Sequence, residues 1–462
     1  MPVPPWRIIS VLHKAETGPI VLEKDFDKRI LIPNIKRVVK EYDIKYDPNN
    51  PVPSDDSLAK DVWNAAVDLF LTVGTYCTTT QRRMIFTEEE LKEALWNYND
   101  WLEIGEGKDR RIWTSRKVED TKLPGCLFTP VGVRCSEENF IHMIMAYMQE
   151  PLADAVSTPI LDKVEGGYTK THSPFEQQGG VVHAQYARQA AVRVGRPGIA
   201  IILTGTALSA ASQIASSNPI WGARPTDLRL VSVISELKID YDLLNKTLHF
   251  NQYGGIIGTL SGPLYGVYAG IEGTTVIGVA SHLQGLLVNQ GHFTCYFPVH
   301  FRYFNNTSRE MLWLVSLSYQ ALANNTKLIS GSNGFAVAGP CTEMVLYESA
   351  LHGLVSAVSG TAILWEIASA SNKHFERTTP MEARMACETG IAAVYSKLKR
   401  SDVNEIVKKV LPKYEDKIDK APLGKTFPEC YDVKSLKPSD EYIQLYKKVK
   451  RELEDLGVCY PY

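Results

Sequence analysis

The spacing of apolar positions divides the chain into three stretches. In residues 1–120, Leu58, Val62, Ala65 and Ala66 share one helical face, with Leu69 one turn on. Thr87-Glu-Glu-Glu90 reads as a capping box, with Thr87 at the N-cap and Glu90 at N3. The charged run Lys108–Lys122 reads as a solvated loop or hairpin. Beyond this stretch, short apolar runs alternate with longer amphipathic ones. The strand candidates are Cys126–Pro130, Ala153–Ser157, Ile199–Leu203, Leu228–Val233, Gly255–Leu260, Phe293–Phe297, Lys327–Ser330 and Ala362–Ile367. Helical patterns follow them, at Glu138–Met148, Gln177–Val194, Tyr241–Phe250, Thr274–Val288, Arg309–Ala323 and Thr342–Val358. Met381–Lys399 predicts a closing helix. Val403, Ile406, Val407 and Val410 lie on one face of the next, which Pro412 stops or kinks. The tail from Lys420 is expected to wrap the barrel or a neighbouring subunit.

Eight strand–helix repeats over about 250 residues is the length of a (β/α)8 TIM barrel. The expected architecture is therefore α/β: an N-terminal helical extension over 1–120, a barrel over 121–400, and a C-terminal helical extension and tail over 401–462. An open doubly wound sheet is the rival. No GxGxxG turn follows the first strand, which removes one support for the rival without excluding it.

Composition narrows the class. Of 462 residues 44% are apolar and 22% charged, with a net charge of −2, so neither nucleic acid nor an anionic membrane is an expected partner. Residues 197–223 carry no charge, and 273–301 carry none beyond His282, His292 and His300. Gly, Pro, Asn, Gln, Ser and Thr interrupt both stretches, which fit buried strands and helix faces better than membrane spans. Eight cysteines stand singly with no CxxC, and MPVPPWR has no apolar signal core, so a reducing cytoplasm is expected.

A barrel places its chemistry at the C-terminal strand ends. Those ends offer Thr158, Ile202 to Thr204, Ser235-Glu236, Leu260-Ser261, Pro298-Val-His300-Phe-Arg302, Ser330-Gly-Ser-Asn333 and Ser369. The rim is uncharged apart from Glu236, His300 and Arg302. His300-x-Arg302 reads either as an anion or carboxylate site or as a structural pair tethering a loop. Cys341 before Thr342-Glu343 reads either as a helix-terminal nucleophile or ligand, or as a packed residue in a capping turn. No HExxH, paired-cysteine, Walker A or GxSxG pattern is present, and no metal is expected. Gly262, Gly266 and Gly270 read as a glycine-rich, closely packed loop.

Several stretches carry a family resemblance. They are Cys77-Thr-Thr-Thr-Gln-Arg-Arg83, Gly195-Arg-Pro-Gly198, Glu236-Leu-Lys-Ile-Asp240 and Pro298-Val-His-Phe-Arg302. With them go Ala338-Gly-Pro-Cys-Thr-Glu-Met344, Thr379-Pro-Met-Glu-Ala-Arg-Met385 and Gly424-Lys-Thr-Phe-Pro-Glu-Cys-Tyr-Asp-Val433. In order and spacing the chain resembles the archaeal monomethylamine:corrinoid methyltransferases, from about residue 55 to the C-terminus and less well over the first 50 residues. The resemblance implies a barrel, a homohexamer and a partner corrinoid protein, with no cofactor held tightly by the chain itself. It also implies methyl transfer from monomethylamine to the partner's cobalt. The family's pyrrolysine, flanked by two acids and an amide, would bind the amine.

Carried over, the pyrrolysine position falls on Ile202, the acids on Leu230 and Leu260, and the amide on Asn333. Electrophile and acids have become aliphatic together, which points to a lineage without pyrrolysine rather than a misread codon. Such a chain is expected to be a corrinoid methyltransferase with another small methylated donor. A quaternary amine fits, because it carries its own activation, and Asn333, Tyr296 and His300 would orient it. The alternatives are monomethylamine transfer without pyrrolysine, and a non-catalytic member that binds a corrinoid protein or a paralogue.

Overall fold

Seven of the eight apolar runs become strands of one closed, parallel barrel, and the remaining strand starts at the last residue of its run. The computed structural model describes residues 5–130, 132–203 and 209–461. The strands are β1 (Gly125–Phe128), β2 (Ala155–Ser157), β3 (Ala200–Ile202), β4 (Leu228–Val233), β5 (Ile256–Ser261), β6 (Phe293–Tyr296), β7 (Ser330–Phe335) and β8 (Ile363–Ala368). Neighbours pair in sequence order, β8 pairs with β1, and β2 with β3 closes the ring. The helices that follow are α1 (Glu137–Met148), α2 (Pro174–Arg193), α3 (Ala210–Ser216), α4 (Tyr241–Tyr253), α5 (Ile271–Leu287), α6 (Arg309–Asn325), α7 (Glu343–Val358) and α8 (Pro380–Tyr395). This is the (β/α)8 alternative, and the open sheet is excluded.

Alternation along each strand sends one set of side chains into the lumen and the other against the helices. Arg229 lies over Phe250 and Tyr253 of α4, Thr294 bonds His282 of α5, and Ser332 bonds His352 of α7. Their neighbours in sequence therefore face inward. Two lumen positions are glycine because no room is left. A Cβ on Gly258 would lie 2.1 Å from the Phe293 ring, and one on Gly331 would lie 2.2 Å from Cys295 Sγ.

Three sequence expectations shift. The seventh strand was expected at Lys327–Ser330 but runs Ser330–Phe335. Its Gly331-Ser-Asn-Gly334 core has turn composition, yet each glycine there is required by a packed neighbour. The charged run 108–122 supplies one strand of a hairpin, as expected, with Arg111–Thr114 pairing with Trp101–Ile104 before it, but it is not wholly solvated. Its Arg116 is buried, donating to the Ala357 and Thr361 carbonyls. The closing helix ends at Tyr395, four residues early, where Lys397 turns to φ 55°.

The extensions grip the barrel from both sides. Thr87 and Glu90 form the expected capping box, and helix Asp56–Val73 packs on α5 and α6. Residues Lys238–Ile239, just beyond β4, join Thr75–Cys77 and Arg82–Met84 in a small sheet. Lys238 there bonds Glu23 and Asp27 at 2.8 and 2.9 Å. At the C-terminal side, Arg400–Val410 ends just before Pro412. The tail then lies on its own barrel: helix Asp440–Glu454 buries Tyr442, Val449 and Leu453 against α7. Gly339 permits this crossing, since a Cβ there would sit 1.8 Å from the Leu423 carbonyl oxygen.

Candidate active site

The register of the strands fixes which residues meet in the lumen. Ile202 pairs with Leu228, Leu230 with Gly258, and Ser232 with Leu260, which pairs in turn with Cys295. Registered neighbours on parallel strands share a face, so Ile202, Leu230 and Leu260 line one wall. Ile202 is fully buried, Leu230 is 5% exposed, and Leu260 and Ser232 are partly exposed. The wall is thus closed at Ile202 and opens towards the C-terminal strand ends. Thr204, expected at the third strand's end, lies outside the described residues.

Across the lumen Asn333 pairs with Trp365 in register. Asn333 is 1% exposed, and neither its amide oxygen nor its amide nitrogen has a partner; Trp365 Nε1 is unpartnered as well. The Asn333 backbone carbonyl accepts from Asn306 Nδ2 at 2.8 Å. Buried polar atoms are normally paired, so such atoms facing a lumen mark a place for a ligand or ordered water.

Above them the mouth is apolar. Phe297 stacks on Phe335 at 5.0 Å, Phe304 meets Phe335 edge-on, and Val299, Ala368 and Leu264 complete a cluster separate from the main core. Beside the mouth, the loops after β1, β2 and β8 enclose a cleft of about 400 Å³ lined by Arg134, Asp162, Lys170, Lys373 and His374.

The remaining expected residues lie elsewhere. Tyr296 does not reach the lumen: it packs against His282 of α5 at 5.1 Å and Tyr319 of α6 at 5.2 Å. One step of alternation separates it from Cys295 and Phe297, which do face inward. His300 sits on a short strand pair with Tyr265, and its Nδ1 accepts from the Arg302 backbone at 3.1 Å. Burial holds its pKa below the usual histidine value. Arg302 points outward to Asp419 at 3.0 Å, with both side chains well exposed. This is the tethering role, here of the C-terminal segment. Cys341 is also the packed alternative: Thr342 caps α7 by accepting from Val345, and burial pushes the Cys341 thiol up rather than down.

Glu236 follows β4 and is 1% exposed. Its Oε1 accepts from Leu264 N at 2.8 Å, Oε2 has no partner, and burial pushes its pKa up to about 8. Ser232, Trp365, Phe297 and Phe335 were missed by sequence reasoning. Strand parity, counted from Ile202 and Leu260, is the signal that could have found them.

The comparisons with known proteins agree with this architecture. The family profile of monomethylamine methyltransferase MtmB matches residues 6–458, so the first 50 residues are included in the likeness. Monomethylamine methyltransferase MtmB of Methanosarcina mazei is 32% identical over 448 residues, 97% of each chain. MtmB3 of Methanosarcina barkeri is 34% identical over 410 residues, 88% of this chain and 89% of its own. The crystal structure of Methanosarcina barkeri MtmB superposes with a TM-score of 0.94 at 31% identity, covering 98% of both chains. That of a hydroxylamine complex of MtmB superposes equally well. The chain is a (β/α)8-barrel methyltransferase that belongs to the monomethylamine methyltransferase MtmB family.

Proposed function

We propose that this methyltransferase works without pyrrolysine, moving a methyl group from a small quaternary ammonium donor to the cobalt of a partner corrinoid protein. The observation that carries the reading is Ile202, buried on the lumen face beside Leu230 and Leu260. None of the three can form an adduct with an amine or give up a proton. A protonated primary amine would meet aliphatic walls there, at a desolvation cost nothing on that wall offsets.

A quaternary donor changes the requirement. It arrives with a fixed positive charge and departs as a neutral tertiary amine, so the wall needs no acid. The bound corrinoid would supply the nucleophilic metal that takes the methyl group. The residues fit such a partner: the mouth is apolar through Phe297, Phe304 and Phe335, suiting the face of a flat macrocycle. Trp365 and the Phe pair offer ring faces to a cation, and the Asn333 amide oxygen can orient its charged end. Leu230 keeps water from beneath the reacting methyl group. The test is methyl-cobalt formation with the reduced corrinoid partner across a panel of methylated donors, read spectroscopically.

A further inference from the structure

A second cleft lies on the face of the barrel opposite the mouth. It encloses about 270 Å³ between helix Glu88–Trp96, strand Trp101–Ile104 and the turn joining α5 to β6. Gln290 lines it and is 2% exposed, yet neither its Nε2 nor its Oε1 has a partner. Its backbone sits at φ 52°, in the left-handed region that non-glycine residues rarely adopt. A buried carboxamide free at both ends is costly unless something outside the chain completes it.

The rest of the wall describes that something. Trp101 is 50% exposed, and Leu102, Leu286 and Ala94 add apolar surface. The Tyr98 hydroxyl is spent on the His292 carbonyl at 2.5 Å and on Ile329 N, so only its ring is offered. His292 accepts from Ile257 N, and burial pushes its pKa down to about 4, leaving it neutral. The two charged rim residues are already paired, Arg7 with Glu93 and Glu103 with Arg110. The cleft therefore offers the buried Gln290 amide edge, the exposed Asn97 and Asn99 carboxamides at its rim and flat apolar faces, with its two charged residues already paired.

We propose that this cleft binds a small neutral planar ring with adjacent donor and acceptor atoms, a lactam or carboxamide edge of the kind nucleobases carry. Its edge would pair with Gln290 and its face would lie against Trp101. The site is separate from the lumen, so the proposal stands or falls independently of the methyl-transfer reading.

Titration calorimetry of the full chain with uracil, adenine and nicotinamide, with toluene as an apolar control, tests it. Saturable binding of at least one ring is expected. It should weaken about tenfold or more in both Gln290→Leu and Trp101→Ala, the second a half-exposed position whose loss leaves the core intact. Failure of all three rings to saturate at millimolar concentration would overturn the proposal. So would unchanged binding in Gln290→Leu, or toluene binding as well as the rings. A Trp101→Ala variant that changes the oligomeric state while no ring binds would show an interface between copies instead.

Discussion

Asn333 and Trp365 stand side by side on β7 and β8, facing the lumen, and neither the amide nor the indole nitrogen has a hydrogen-bond partner. Buried polar groups in that state cost stability rather than adding to it. Asn333→Leu is expected to leave the melting temperature unchanged or raised, because Asn306 holds only the backbone carbonyl. Methyl transfer should fall by about 10- to 100-fold in kcat/KM, the range for one buried hydrogen-bonding group. Thermal melts and steady-state kinetics on the same preparation check both halves.

The aliphatic wall predicts an asymmetry. Leu230 is almost fully buried and Leu260 is partly exposed. A carboxylate at 230 must be desolvated, whereas one at 260 can keep some water. Leu230→Glu should cost several kcal/mol, roughly the price of an unpaired buried charge, and Leu260→Glu distinctly less. Urea denaturation of the two variants gives the comparison.

Glu236 predicts a pH dependence. Burial raises its pKa from 4.5 to about 8 in the folded chain. Between those values the folded state holds a proton the unfolded state has lost. The contribution is therefore complete below about pH 4.5 and disappears as pH rises through 8. Glu236→Gln should flatten the fall in stability across that window and stabilise the protein above it, by at most a few kcal/mol. Glu150, Glu348 and Glu382, also pushed up to about 7 by burial, keep a fall of the same sign in the variant up to about pH 7, so the loss of the Glu236 contribution shows most cleanly above that. Chemical denaturation at pH 5 and pH 8.5 separates the variant from the parent.

Gly258 predicts a packing limit. A methyl group there meets the Phe293 ring across the lumen wall. Gly258→Ala should cost about 1–3 kcal/mol through overpacking. Gly254→Ala, at a left-handed helix end with open space, should instead show only the smaller conformational penalty of a positive φ. Melting curves of both variants distinguish crowding from backbone strain.

The barrel was legible because eight apolar runs recur between amphipathic ones, and that pattern survives any loop detail. Strand β7 was misplaced because Gly331 and Gly334 read as a turn, while their true cause is the bulk of Cys295 and Ile367. By its place at a strand end Tyr296 reads as a site residue, whereas strand parity turns it towards α5 and α6. His300 and Arg302 sit near the mouth in sequence, but Arg302 serves Asp419 more than a hundred residues later. Long-range partners of that kind leave no local trace. The aliphatic wall of Ile202, Leu230 and Leu260 stands out in the sequence only through family resemblance, since isolated aliphatic residues in strands look like core.

The proposed exchange in the lumen is of amine activation for recognition of a donor activated by its own charge. It is tested most directly by mixing the full chain with its corrinoid partner in the reduced cobalt state and following methyl-cobalt absorbance. Tetramethylammonium or another quaternary methylamine should give methyl-cobalt in a protein-dependent reaction, and monomethylamine should give none. Methyl-cobalt from monomethylamine alone, or from no donor at all, would contradict the account.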